Sequence, residues 1–253
     1  MALASMSEIF ERMARNGQEF WEVVLADDMD ERQVSREASM AKMLTTWQAM
    51  QDAADSYTGR KRSVSGLVGG DGMKMRQYTF RGCAMTGGYV SEVIAEALSM
   101  AESNACMRRI VAAPTAGACG VLPAVLLPLC KYEELTQHQL LEALYVAAGI
   151  GSVIAYKASI AGASGGCQAE IGTASAMAAG ALVALRGGEG EQIGHAVAMA
   201  LKNLMGLVCD PVAGLVEVPC VKRNVIGAVN AVSAADMALA ALTAPMTLRL
   251  THG

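Results

Sequence analysis

Residues 159–185 read SIAGASGGCQAEIGTASAMAAGALVAL. The two halves of this stretch differ in character. Ser159–Gly166 is rich in glycine and serine, a composition that breaks regular structure and makes a loop. Ile171–Leu185 carries no charge and is dominated by alanine, the strongest helix former, which predicts a helix over about 170–186. Small side chains let helix backbones approach closely, and a helix with no polar face belongs inside a bundle.

The rest of the chain agrees with that reading. It has 253 residues, enough for one large domain or two small ones. Hydrophobic residues make up 53%, charged residues 17% and aromatic residues 4%, a balance that favours helices over strands. The expected fold class is therefore all-α: a multi-helix domain rich in Ala and Gly, with glycine-rich loops forming the site. Periodicity predicts further helices at 7–26, 32–57, 88–102, 119–131, 137–157, 190–206 and 223–243. Phe10, Met13, Phe20, Val23 and Val24 form the inner face of the first, and Met40, Met43, Leu44, Trp47, Met50 and Ala54 that of the second. Thr136-Gln137-His138-Gln139 reads as a capping box opening the 137–157 helix. Residues 58–72 are turn-rich and read as a long loop. They set a soft boundary between a helical N-terminal arm, 1–60, and a main domain, 61–253.

Several partner classes are excluded. A net charge of −4 and a pI near 5.5 do not suit a phosphate backbone, and the short run Arg60-Lys61-Arg62 reads as a solvated loop. The apolar runs Leu140–Tyr156 and Ile171–Leu185 are shorter than the roughly 20 residues of a membrane span, so no membrane partner is expected. The start of the chain lacks the features of a signal peptide. Seven cysteines, an odd number, cannot all pair within the chain. Reduced thiols in a cytoplasmic protein are expected, with some as metal ligands, some reactive and some buried.

Three glycine-rich loops separate predicted helices: Ala113–Gly120, Ser159–Cys167 and Val208–Gly214. Loops held by rigid helices are where sites usually form, and backbone N–H groups in them are expected to be free. Cys167 precedes a helix start, where the helix dipole favours a thiolate. Cys209 follows the end of a helix, and Cys220 lies between Pro219 and Lys222-Arg223-Asn224. All three have the polar, loop-edge setting of a ligand. Cys130 lies in an apolar helix and reads as a small core residue. Packing is also expected for Cys83 and Cys106, while Cys119 is ambiguous. Spacing alone leaves zinc and three inert thiols open.

The runs Gly165–Glu170, Leu201–Gly214 and Val218–Asn224 closely resemble the α chain of bacterial iron–sulfur L-serine dehydratases. Ala113–Gly120 and Gly69-Gly70-Asp71 resemble that family's other glycine motifs, and the likeness covers about residues 65–243. The resemblance implies a 4Fe–4S cluster held by Cys167, Cys209 and Cys220, with one iron open to substrate. The implied reaction is dehydration of L-serine. The hydroxyl is polarised by the open iron, a base removes the α-proton, and the enamine formed becomes pyruvate and ammonia. Donors for the substrate carboxylate are sought among Thr115, Ala116 and Gly117, among Ser164, Gly165 and Gly166, and at Lys222, Arg223 and Asn224, followed by Lys202 and Asn203. His195 is a base by residue type, although a packed or solvated histidine ranks above that reading. Lys202 is an alternative base. Asp71 and Glu170 are placed to orient partners or the substrate amine.

Members of the two-chain type pair with a separate β chain bearing an ACT-like domain, so such a partner and an oligomeric assembly are implied. Family α chains continue into further helices, whereas Thr247–Gly253 does not resemble that continuation, and the chain is expected to be short at its C-terminus. Two other readings rank lower. Pyridoxal phosphate chemistry needs a Schiff-base lysine, for which Lys157 stands before a glycine-serine loop, but it belongs to α/β folds. A non-catalytic helical subunit would use its cysteines for a structural metal or for none.

Overall fold

The computed structural model describes residues 3–212, 214 and 217–244. Thr247–Gly253, and with it the expected C-terminal departure from the family, lies outside the described residues. Among the described residues there are helices and no β-strand, as expected. In chain order the helices are α1 (Met6–Asn16), α2 (Phe20–Arg32), α3 (Arg36–Asp55), α4 (Asp71–Phe80), α5 (Gly87–Ala105) and α6 (Val121–Tyr132). They continue with α7 (Gln137–Lys157), α8 (Gly162–Gly165), α9 (Cys167–Leu185), α10 (Gly190–Asn203) and α11 (Glu217–Leu239), with a 3-10 turn at Ala116–Ala118.

Helix α9 is the axis of the fold. Every residue from Ile171 to Val183 is buried, so the helix needs neighbours on all sides, and α6, α7, α10 and α11 supply them. Missing side chains make that approach possible. A Cβ at Gly180 would overlap Ile150 Cδ1 of α7, and one at Gly227 of α11 would stand 2.7 Å from Ile171 Cγ2. Buried polar groups between these helices are satisfied internally. Ser175 Oγ donates to Gly227 O at 2.8 Å, while Asn230 Nδ2 donates to Ser175 Oγ and to Ala200 O, each at 2.9 Å. Three helices are thereby tied at one level.

The apolar run Leu140–Tyr156 belongs to α7, whose 21 residues are long and apolar enough to cross a membrane by length and composition alone. In its most apolar window 61% is buried inside the protein, against α9 and α2. It is a core helix, and its Thr136 capping box forms as expected.

Three expectations about helix limits are corrected. The helix expected over 7–26 is two helices, α1 and α2. Gly17 adopts the left-handed conformation with φ 63° and ends α1, and a capping box between Glu19 and Glu22 starts α2. Residues 71–72, expected in a loop, begin α4: Gly70 is its left-handed N-cap and Asp71 its first residue. Helix α11 starts at Glu217, ahead of the expected 223. One hydrophobic cluster runs from Leu3 to Ala238, so α1 and α2 share the core of the later helices. Trp47, Met50 and Ala54 of α3 are buried, whereas Met40, Met43 and Leu44 are partly so.

Candidate functional site

Several loops and helix ends meet where α9 begins. Cys167 is the first residue of α9 and is 2% exposed. Gly166 caps the helix with φ 72°, a conformation that favours glycine. Gln168 then fastens the segment after α10 from both directions. Its N–H donates to Leu207 O at 2.8 Å, and its Oε1 accepts from Gly206 N at 2.8 Å. The exposed Cys209 is thus held beside Cys167, close enough for its thiol to hydrogen-bond there. Cys220 lies in the first turn of α11 rather than in a loop, half-buried. One turn later Arg223 Nη1 donates to Cys167 Sγ at 2.9 Å.

The charges of this cluster oppose one another. Burial pushes the Cys167 thiol up, and the Arg223 guanidinium pulls it back down. Cys220 is pushed up to about 11, first by burial and then by negative charge at Cys167, Glu170 and Cys209. Negative charge on both Cys167 and Cys220 is therefore unfavourable, and a cation beside them would relieve the repulsion. Among the described residues no group of three or more Cys, His, Asp or Glu side chains is arranged to hold a metal ion.

The other residues singled out from sequence divide between this end of the molecule and supporting roles. Asp71 Oδ2 accepts from Lys222 Nζ at 2.5 Å and its Oδ1 from Lys74 Nζ at 2.9 Å, and these ammonium groups hold its carboxyl below the usual range. Asn224 is 1% exposed and fully engaged: its Oδ1 accepts from Gly120 N, and its Nδ2 donates to Gly117 O and Cys220 O, each at 2.8 Å. It clamps α11 to the Ala113–Gly120 loop. Asn203 Nδ2 donates to Asn230 Oδ1 at 2.8 Å, and Lys202 is exposed in the last turn of α10. Ala116 O accepts from Asn104 Nδ2 at 3.0 Å.

The N–H groups of Ser164, Gly165 and Gly166, expected to be free, are used inside their own loop. Those of Ser164 and Gly165 donate to Ala161 O, and that of Gly166 donates to Gly162 O at 2.9 Å. The turn they form is α8, and Ser164 Oγ lies 2.5 Å from Ser159 Oγ. His195 stands apart from the thiols. Its Nδ1 is bonded to the backbone of Ala244, 2.8 Å from the carbonyl oxygen, and it lines a cleft beside Phe10, Met13 and Gly190. It is a packed histidine, the reading ranked first.

Two carboxylates matter more than local sequence suggests. Glu170 Oε1 accepts from Thr115 Oγ1 at 2.7 Å, joining α9 to the Ala113–Gly120 loop. Glu102 of α5, 1% exposed, accepts from the N–H groups of Gly70, Asp71 and Gly72 at 3.0, 2.8 and 3.4 Å, and from the Tyr57 hydroxyl. A buried anion at a helix N-terminus is favourable because the free N–H groups and the dipole both point at it. Tyr57 and Glu102 were not read from sequence, and the only local signal was the glycine-flanked start of α4.

The remaining cysteines are sorted by face. Cys106 is buried as expected, and Cys119 is fully buried with its thiol pushed up to about 12 by burial. Cys83 and Cys130 are exposed, which corrects the expectation of packing for both. Cys130 lies in the last turn of α6, its thiol donating to Leu126 O at 3.2 Å. Lys157 ends α7 exposed, and the described residues contain no strand of the α/β fold that pyridoxal chemistry was expected to need.

Comparison with known proteins shows the family. Residues 15–248 match the family described as "Serine dehydratase alpha chain", a span that starts well before residue 65. The chain is 44% identical over 222 residues to the probable L-serine dehydratase, alpha chain, of Bacillus subtilis, covering 88% of this chain and 74% of that protein. It is 37% identical over 239 residues to the L-serine dehydratase, alpha chain, of Peptoniphilus asaccharolyticus, covering 94% and 82%. It is also 48% identical over 150 residues to L-serine dehydratase 2 of Escherichia coli, covering 59% of this chain and 33% of that protein. A match running from the end of α1 through α11 leads to one conclusion: the chain belongs to the serine dehydratase alpha chain family.

Proposed function

We propose that this chain is the α subunit of an L-serine dehydratase, a lyase that converts L-serine to pyruvate and ammonia. In this reading Cys167, Cys209 and Cys220 hold a 4Fe–4S cluster, and a separate β chain with an ACT-like domain completes an oligomeric, cytoplasmic enzyme. The observation that carries it is the meeting of three thiols and Arg223 at the start of α9, in a chain whose relatives are named L-serine dehydratases.

The donor set fits such a group. Iron–sulfur clusters are held by thiolates, and each thiolate binds a different iron, so the ligands stand further apart than those of one ion. Three protein ligands leave one position open, as at catalytic zinc. When bound, the cluster supplies a Lewis-acidic iron that makes the serine hydroxyl a better leaving group.

The chain's own residues prepare the rest. Arg223 offsets the charge of Cys167, and its neighbour Lys222 adds a second cation, oriented by Asp71, for the substrate carboxylate. Asn224 holds the Cys220 turn and the Gly117 loop at a fixed separation, as a positioning residue. The test is anaerobic iron–sulfur reconstitution followed by a pyruvate assay with L-serine, with and without a β chain. Four irons and pyruvate are expected. A colourless chain that takes up no iron sinks the cluster reading. A fully loaded chain that makes no pyruvate with its β partner sinks the reaction.

A further inference from the structure

Glu170 lies three residues after Cys167 on α9, so the two side chains share a face of the first turn. Its carboxylate is seated between two glycine-rich loops from different parts of the chain. A Cβ at Gly117 would stand 2.7 Å from Oε2, and one at Gly162 would overlap it. Both glycines are therefore needed for the carboxylate to lie where it does. Thr115 fixes the rotamer by donating to Oε1, while Oε2 accepts no hydrogen bond among the described residues.

A negative group here has a cost. No arginine, lysine or histidine pairs with it among the described residues: Arg223 is on Cys167, and Lys222 is on Asp71. A carboxylate held in place by a hydroxyl and two glycines, with one oxygen left without a donor among the described residues, is built to receive a cation. The substrate class proposed above carries one, the α-ammonium group.

We infer that Glu170 binds the α-ammonium group of the substrate through Oε2, with Thr115, Gly117 and Gly162 as the residues that position it. The inference rests on the serine dehydratase reading and adds a source of specificity, since α-amino acids would be selected over hydroxy acids of the same shape. Lys222, oriented by Asp71, is left for the carboxylate. Together they would fix which face of the α-carbon meets the centre.

The test uses the reconstituted α–β enzyme with Glu170→Gln, which keeps the acceptor for Thr115 and removes the charge. The KM for L-serine should rise roughly 10- to 100-fold, the range of one charge-assisted hydrogen bond, with kcat changed much less. Competitive inhibition by 3-hydroxypropionate, which has the hydroxyl and carboxylate but no amine, should be unaffected. Gly162→Ala, which crowds Oε2 without changing charge, should shift the serine KM in the same direction and leave iron content intact. An unchanged serine KM in Glu170→Gln overturns the contact. So does an equal loss of serine and 3-hydroxypropionate binding, which marks a structural role, and so does a fall confined to kcat, which marks a base. Wild-type holoenzyme without turnover would instead sink the reaction itself, a failure visible before any variant is made.

Discussion

At its C-terminal end α9 runs through Ala178, Ala179, Gly180, Ala181, Leu182 and Val183, all buried and none able to ionise. In its first turn the same helix carries Cys167, Gln168 and Glu170, and each of these makes a bond or charge contact outside the helix. Small residues serve both ends differently. At the buried end, glycine lets the backbone of one helix reach the side chains of the next. At the open end, glycines in the facing loops leave room for a carboxylate and let the chain turn sharply into Cys167. One end holds the bundle together, and the other is kept available for chemistry.

That division predicts separable consequences. Replacing Cys167, Cys209 or Cys220 by Ala should have the largest effect, abolishing iron uptake and pyruvate formation while helical circular dichroism persists. Iron content after anaerobic reconstitution checks it, and a variant that loads normally drops out of the ligand set. Arg223→Gln removes the charge partner of Cys167. Loss of such an outer partner typically lowers metal affinity or activity by about 10- to 100-fold, so iron should be lost faster to a chelator, with the unfolding midpoint little changed.

At the other end, Gly180→Ala places a methyl on Ile150 Cδ1. Overpacking of this kind costs about 1–3 kcal/mol, and because Ile150 Cδ1 is the tip of a side chain the lower part of that range is expected. Urea denaturation should register it, and iron content should not. The last effect, absent at neutral pH, is a pH dependence from Cys119. Burial raises its thiol from 9.0 to about 12, so its contribution is fully present below pH 9. As pH rises towards 12, the unfolded thiol ionises while the folded one stays neutral, and stability declines. Comparing the urea midpoints of wild type and Cys119→Ala across this range isolates the slope; parallel curves would show that Cys119 contributes none of it.

What could be read in the sequence was what is local. Thr136 and Gln139 cap each other across three residues, with Gln139 N donating to Thr136 Oγ1 at 3.2 Å, and that box is visible in four letters. The α9 helix was legible because no charge interrupts Ile171–Leu185. The start of α4 was not, because its first N–H groups are answered by Glu102, more than thirty residues away in α5. Cys130 was misplaced for a related reason. Its neighbours are apolar, but it faces outward from the last turn of α6, and composition of a window does not give the face. Of the thiol end, family likeness pointed to the three cysteines. The bond from Arg223 and the seat of Glu170 depend on loops more than fifty residues apart, which only the folded chain brings together.

The start of α4 also bears on how the chain responds to a protease. Arg60, Lys61 and Arg62 are exposed and offer trypsin a cut. Yet the Cys106 thiol donates to Lys61 O at 3.5 Å, Ser63 N donates to Val68 O at 3.0 Å, and Glu102 grips Gly70 to Gly72. On the N-terminal side α2 rests on α7, and α3 on α5. A nick there severs one peptide bond in a segment fastened on both flanks. The two fragments would elute as one particle and separate only in denaturant.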